Sequence, residues 1–232
     1  MNEYSETWFR LFLDNYPPER TLAQVEFIER HLPFPSHSII LDVCCGQGRL
    51  AAPLAEKGYR VSGIDLDHPA VAAARRAAPS AVFRTLDMRN LDEMPGLYDG
   101  IICMWQSFGY FDEETNAKVF GHMASKLIAG GRLVLDVYNR AFFASNLPSG
   151  RSEIDGTLVE SHAEFQDKRM TVRLSYDGVP GDVFDWHLYS PDELIELGLL
   201  YGMRASIVCT NFDESLTVRP ESPNMQLVFE RA

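Results

Sequence analysis

From residue 38 onward, short apolar runs alternate with segments that have helical periodicity. Apolar runs bounded by turn residues predict buried strands, whereas apolar positions spaced about 3.6 residues apart predict helices. The predicted strands cover residues 39–43, 59–64, 81–85, 100–104 and 132–137, and the predicted helices cover residues 50–56, 69–77 and 114–127. This alternation is typical of parallel strands joined by right-handed crossovers, with helices on both faces of the sheet.

The chain on either side of this alternation has a different pattern. The first 35 residues predict two helices around a break at Pro17-Pro18. Residues 157–189 lack helical periodicity and alternate between polar and apolar side chains, which predicts antiparallel hairpins. Ser190, Pro191 and Glu193 predict a capping box that starts a helix over residues 192–200, and two further strands are predicted near 205–210 and 225–230.

These elements predict an α/β fold with a doubly wound, mostly parallel seven-stranded sheet and an antiparallel β insertion after strand five. The expected units are an N-terminal helical cap at 1–35 and an α/β core at 36–140, followed by a β-rich insertion at 141–190 and a C-terminal helix with the last two core strands at 191–232. An insertion over the carboxyl edge of the sheet would roof a binding site.

Composition narrows the classes of partner. The net charge of −12 and the lack of a Lys/Arg cluster disfavour nucleic acid. No apolar run reaches the roughly 18–20 residues that a membrane span needs. The four cysteines show no CxxC spacing and no Cys/His cluster, so we expect no metal site and a reducing, cytoplasmic environment. We expect a monomer or homodimer that binds a small molecule.

Acidic side chains follow the first three predicted strands. The first strand runs through Asp42 into a glycine turn and a helix, which points backbone N–H groups at one spot suited to an anionic group. Asp65 follows the second strand, where an acid can accept from both hydroxyls of a ribose. Asp87 follows the third strand and can accept from an exocyclic amine. The pattern predicts an adenosine ligand with an extension.

The combination resembles the class I S-adenosylmethionine-dependent methyltransferases, and within them the bacterial small-molecule branch. The resemblance rests on Leu-Asp-Val-Cys-Cys-Gly-Gln-Gly-Arg at 41–49, Ser-Phe-Gly-Tyr-Phe at 107–111 and the segment 188–194. Cys44 stands where the family has its first glycine, and its small side chain is expected to keep the turn. The resemblance implies S-adenosylmethionine as cofactor, S-adenosylhomocysteine as product, and in-line methyl transfer to a nitrogen or oxygen atom of a small molecule.

The resemblance also implies roles for individual residues. Asp65 would hold the ribose, Asp87 the adenine amine, and the Met88 backbone N–H a ring nitrogen, while Arg20 would pair with the methionine carboxylate. The expected cofactor-binding residues are Arg20, Asp42, Cys44, Gly46, Gly48, Asp65, Leu66, Asp87, Met88 and Met104.

The acceptor is expected to lie under the insertion. His187 is the candidate general base because of the pKa range of histidine, and Tyr110 is the second catalytic candidate. A base is needed only if the acceptor must lose a proton at or before attack. The expected substrate-contacting residues are Trp8, Trp105, Tyr138 and Asn139.

Structural interpretations remain open for the same residues. Asp42 can tie down the N–H groups of the turn, Asp65 can cap the following helix, and Asp87 can be an ordinary turn acid. His187 can be a structural or solvent-exposed histidine. Two other functions also remain: a non-catalytic protein that binds S-adenosylmethionine, and a nicotinamide-dependent oxidoreductase, although the Tyr-x-x-x-Lys pair of the latter class is missing.

Overall fold

The computed structural model describes residues 4–232. Five parallel strands form most of the main sheet. They are β1 (Ile39–Val43), β2 (Arg60–Asp65), β3 (Val82–Thr85), β4 (Tyr98–Cys103) and β5 (Leu127–Tyr138). Each lies within a few residues of the expected position, because continuous apolar runs are what a strand buried on both faces requires.

A separate four-stranded antiparallel sheet follows β5. Its strands are β6 (Gly150–Ile154), β7 (Thr157–Gln166), β8 (Arg169–Tyr176) and β9 (Val179–His187), paired in sequence order. The chain then returns to the main sheet with β10 (Met203–Cys209) and β11 (Asn224–Arg231). The order of the main sheet is β10-β11-β5-β4-β1-β2-β3, and β11 is antiparallel to both of its neighbours.

Helices cover both faces of the main sheet. They are α1 (Glu6–Trp8), which continues into a π-helical turn at Phe9–Leu13, α2 (Pro18–His31), α3 (Ala51–Glu56), α4 (His68–Ala77), α5 (Glu113–Ser125), α6 (Arg140–Phe143) and α7 (Pro191–Leu200). The predicted capping box is present at α7, where Ser190 and Glu193 bond each other's backbone N–H groups. None of the helices within residues 4–232 has the length and apolar character needed to cross a membrane.

The core is divided by the sheet into two layers. Leu41 and Ile101 pack with α5 and α7 on one face, and Ile40 and Ile102 pack with α2, α3 and α4 on the other. Because α2 packs directly on the sheet, the region that we expected to form one helical cap at 1–35 is divided between two places. The segment from residue 4 to 13 lies against the insertion, and Asn15 donates a hydrogen bond to Asp155 there.

Candidate active site

A cavity of about 760 Å³ lies at the carboxyl ends of the parallel strands, beneath the four-stranded sheet. Pockets for small ligands typically span about 300–1,000 Å³. One half is lined by the loops after β1, β2 and β3, and we call it the cofactor half. The other half is lined by the segment 4–13, by Tyr110 and Tyr138, and by the inner face of the four-stranded sheet, and we call it the acceptor half.

The turn after β1 contains three residues with left-handed backbone. Cys44 has φ +62°, Gly46 +51° and Gly48 +81°, so Cys44 adopts the conformation that glycine favours. A Cβ on Gly46 would meet nothing within 4 Å, because this glycine borders the cavity. A Cβ on Gly48 would lie 3.1 Å from that of Ala74. Gly48 therefore allows close packing of α4 rather than lining the cavity, which corrects its expected role.

Asp65 lies at the end of β2 and borders the cavity. Its Oδ2 accepts a hydrogen bond from Gly46 N at 2.8 Å, and its Oδ1 accepts one from Asp67 N at 2.9 Å. The cap of α4 is Asp67, which accepts from Ala70 N, so Asp65 is not the helix cap. Each carboxylate oxygen keeps a further acceptor site for a ligand. Burial raises the pKa of Asp65.

Asp87 has two roles at the end of β3. It accepts hydrogen bonds from the backbone N–H and the guanidinium of Arg89, which hold the pKa of Asp87 below its ordinary value. Asp87 therefore stabilises its own turn, as an ordinary turn acid would, and it also borders the cavity. Met88 begins a 3₁₀ turn, whose first N–H groups have no partner within the turn. Leu66, 46% exposed, adds an apolar surface beside them.

Asp42 and Arg49 meet at the inner end of the cofactor half. Asp42 is 3% exposed, and no group in residues 4–232 donates a hydrogen bond to its carboxylate. Burial raises the pKa of Asp42 to about 7, with the Arg49 charge opposing the rise. The Arg49 guanidinium donates to Thr21 Oγ1 at 2.9 Å and lies 4.5 Å from the ring centre of Tyr16. This arginine was absent from the expected site, although it directly follows the glycine turn.

The loop after β4 is held by a buried acid that the sequence reasoning also missed. Trp105 and Gln106 both have left-handed backbone, with φ +55° and +59°, which is rare for residues other than glycine. Asp136 on β5 accepts hydrogen bonds from Trp105 N, Gln106 Nε2 and Gln226 Nε2. Burial raises the pKa of Asp136 to about 6. An acid within the apolar run of β5 was the available signal.

Aromatic side chains line the acceptor half. The hydroxyl groups of Tyr4 and Tyr110 are hydrogen-bonded at 2.7 Å. The ring centres of Trp8 and Trp105 are 5.3 Å apart. The ring centres of Trp186 and Tyr138 are also 5.3 Å apart. Four of the expected residues, Trp8, Trp105, Tyr110 and Tyr138, therefore border one cavity.

Two residues expected near the acceptor lie elsewhere. On β9, Trp186 points into the cavity and His187, the next residue, points to the opposite face, where its ring lies 4.6 Å from that of Tyr189. Burial lowers the pKa of His187. Asn139 caps α6, and its amide donates to two backbone carbonyls of the loop before β11. The structure thus corrects the placement of both residues.

Most of the expected cofactor-binding residues border the cavity, but two of them do not. Arg20 is exposed on α2 and, like Gly48, is not part of the cavity wall. Arg49 is the guanidinium that borders the cavity. The remaining expected residues that line it are Asp42, Cys44, Gly46, Asp65, Leu66, Asp87, Met88 and Met104.

Comparison with known proteins matches the same part of the chain. Residues 40–131 match the model of a family described as a methyltransferase domain. The Bacillus subtilis (strain 168) protein YqeM is 30% identical over 127 residues, which are 53% of this chain and 51% of that protein. The chain thus spans about half the length of this curated relative.

Two solved structures share the fold over almost the whole chain. An S-adenosylmethionine-dependent methyltransferase from Clostridium acetobutylicum superposes with a TM-score of 0.82 at 16% identity, covering 97% of this chain and 96% of that one. An amino pentose methyltransferase from Micromonospora echinaspora, solved with S-adenosylmethionine bound, gives 0.72 at 18% identity and covers 100% and 99%. At these identities the likeness shows the fold, and the predicted doubly wound sheet is confirmed.

Proposed function

We propose that this chain, a class I S-adenosylmethionine-dependent methyltransferase by its fold and by the domain at residues 40–131, transfers a methyl group to a nitrogen or oxygen atom of a small molecule. The observation that carries the proposal is the cavity itself. Acids after β1, β2 and β3 border the same space as an aromatic half under the insertion. A cofactor and an acceptor can therefore meet inside one continuous cavity.

The cofactor half suits S-adenosylmethionine on its own geometry. The open space beside Gly46 would be filled by any Cβ, and the Asp42 carboxylate has no hydrogen-bond donor within residues 4–232. Asp42 would accept from the methionine ammonium, and Arg49 would pair with the methionine carboxylate, in place of the expected Arg20. Asp65 would accept from the ribose hydroxyls. When bound, S-adenosylmethionine supplies a methyl group on a positively charged sulfur.

The chain's contribution to the reaction would be alignment and exclusion of water. Holding two reactants in line is worth up to roughly 7–11 kcal/mol in favourable cases. The loop of Trp105 and Gln106, fixed by Asp136, borders the cavity. The segment 4–13 and the four-stranded sheet line the acceptor half. A fixed loop and a cover that excludes water both favour in-line displacement.

Titration calorimetry with S-adenosylhomocysteine tests the proposal, with NADH as the control ligand. We expect binding of the former only. Asp65→Ala should weaken binding at least 100-fold, because two ribose hydrogen bonds and the support of the Gly46 turn are lost together. Asp112→Ala is the matched control, since it removes a helix cap at α5, outside the cavity, and should cost about 1 kcal/mol of stability. Wild-type affinity in the Asp65 variant would contradict the cofactor assignment, and NADH binding would favour an oxidoreductase.

A protein that only binds S-adenosylmethionine is the remaining alternative. It would bind S-adenosylhomocysteine in the same experiment but show no transfer of a labelled methyl group to any acceptor. The continuous connection between the cofactor half and the acceptor half favours the enzyme, because a protein that only senses the cofactor needs no second space beside it.

A further inference from the structure

The acceptor half differs from the cofactor half in charge. Among the described residues, every charged side chain that borders the cavity lies at the carboxyl end of β1 or β2 or in the loops after β1, β2 and β3: these are Asp42, Arg49, Asp65, Asp67 and Asp87. Within residues 4–232, the acceptor half is lined by no Asp, Glu, Lys, Arg or His side chain. An acceptor that carries a phosphate or a carboxylate would enter this space without a counter-charge, which is strongly unfavourable.

In the part of the chain that the structure describes, the acceptor half also lacks a general base. His187 points away from the acceptor half, and the polar groups of the acceptor half are tyrosine and serine hydroxyls. Burial raises the pKa of Tyr4 and Tyr110, and raises that of Tyr138 to about 12, so these phenols stay protonated at neutral pH. A hydroxyl acceptor usually has to lose its proton at or before attack, whereas a neutral amine attacks through its lone pair without losing one.

The aromatic rings suit the charge that an amine acquires. Trp8 and Phe184 have ring centres 6.0 Å apart, and Tyr4 lies 4.7 Å from Phe184. The faces of such rings attract a positive charge that forms within about 6 Å of them. The linked hydroxyls of Tyr4 and Tyr110 offer an oxygen lone pair to an N–H group in the same compartment.

From this geometry we infer that the acceptor is an apolar amine without phosphate or carboxylate groups, methylated on nitrogen and oriented by the hydroxyl pair of Tyr4 and Tyr110. The inference rests on the proposed methyl transfer. The amine lone pair forms the new N–C bond while the C–S bond breaks and its electrons remain on sulfur, which becomes neutral. The nitrogen becomes a methylated ammonium group, which leaves as the product, and its proton equilibrates with water in solution.

Four probes on one skeleton test the inference: 2-phenylethylamine, 2-phenylethanol, 3-phenylpropionate and 2-phenylethyl phosphate. Each is titrated into the wild-type protein saturated with S-adenosylhomocysteine, and methylation by S-adenosylmethionine is followed by mass spectrometry. The amine should bind at least tenfold more tightly than the two anions and should alone be methylated. Below the amine's own pKa, its kcat/KM should rise about tenfold per pH unit, because only the neutral form reacts.

Variants separate orientation by the hydroxyl pair from general packing. Tyr110→Phe should lower kcat for the amine at least tenfold while the affinity for S-adenosylhomocysteine stays unchanged. Tyr201→Phe, which removes a partly exposed hydroxyl outside the cavity, should leave both unchanged. Tighter binding of either anion, methylation of the alcohol at the rate of the amine, or no binding of any probe to the loaded protein would overturn the inference. Failure of S-adenosylhomocysteine itself to bind would instead overturn the proposed function.

Discussion

The unpartnered carboxylate of Asp42 should make the ligand-free protein less stable at high pH. Its pKa is raised from 3.8 to about 7 in the folded state. Between these two pH values the folded state holds a proton that the unfolded chain has already lost, so stability falls as pH rises. At 1.36 kcal/mol for each tenfold change in the protonation equilibrium, the full cost at pH 8 is about 4 kcal/mol.

Asp42→Asn removes this cost, because an amide of the same shape cannot ionise. Urea denaturation at pH 8 should give a free energy of unfolding up to about 4 kcal/mol higher for the variant than for the wild type. At pH 4.5, where the wild-type side chain is protonated in the folded state, the two should agree within about 1 kcal/mol. The same variant should bind S-adenosylhomocysteine at least tenfold more weakly, because the ammonium group of the ligand loses its carboxylate partner.

Asp67→Asn is the matched control for this substitution. Asp67 borders the same half of the cavity but is only partly buried, and asparagine caps a helix about as well as aspartate. Its free energy of unfolding should follow that of the wild type within about 0.5 kcal/mol at both pH values. The reasoning is refuted if Asp42→Asn lowers stability at pH 8, or if its difference from the wild type is the same at both pH values.

Substitutions at three further positions test other parts of the site. Cys44→Gly should keep the melting temperature and S-adenosylhomocysteine binding, whereas the β-branched Cys44→Val should cost about 2 kcal/mol in urea denaturation because φ is +62°. Arg49→Gln should weaken S-adenosylhomocysteine binding at least tenfold in calorimetry, and the control Arg20→Gln should not; equal effects would contradict the choice of Arg49. Asp182→Asn should speed tryptic cleavage after the exposed Arg10 about tenfold. The asparagine amide can no longer accept both hydrogen bonds that Ser5 donates to Asp182, so the segment 4–13 is held less firmly. Unchanged cleavage would contradict the role of that contact.

Local sequence was enough to predict the sheet and the acids at its edge. Buried parallel strands need continuous apolar runs. An acid that follows such a run lies at the carboxyl edge of the sheet, independently of the rest of the fold. Asp42, Asp65 and Asp87 therefore lie at one cavity, as their positions after strands predicted. The capping box at Ser190 and Glu193 was predictable for the same reason, since its two bonds join residues three positions apart.

Side-chain direction was the part that sequence could not supply. Arg20 and Arg49 are both candidates for the methionine carboxylate by residue type, but only the tertiary packing decides that Arg20 faces solvent and Arg49 faces the cavity. In β9 a shift of one residue exchanges the two faces, so Trp186 rather than His187 reaches the acceptor half. Asp136 was missed because its partners, Trp105 and Gln226, lie 31 and 90 positions away.

The roof over the acceptor half joins parts of the chain that are synthesised at very different times. Ser5 bonds Asp182 across 177 positions, and Tyr4 bonds Tyr110 across 106. The strands and loops of the cofactor half all come from residues 39–138, so this half can condense while the insertion is still being made. The segment 4–13 is synthesised before the insertion and is nevertheless among the last to settle, since closing so long a loop gains nothing until its partner exists. A nascent chain should acquire its cofactor compartment before it acquires a place for the acceptor.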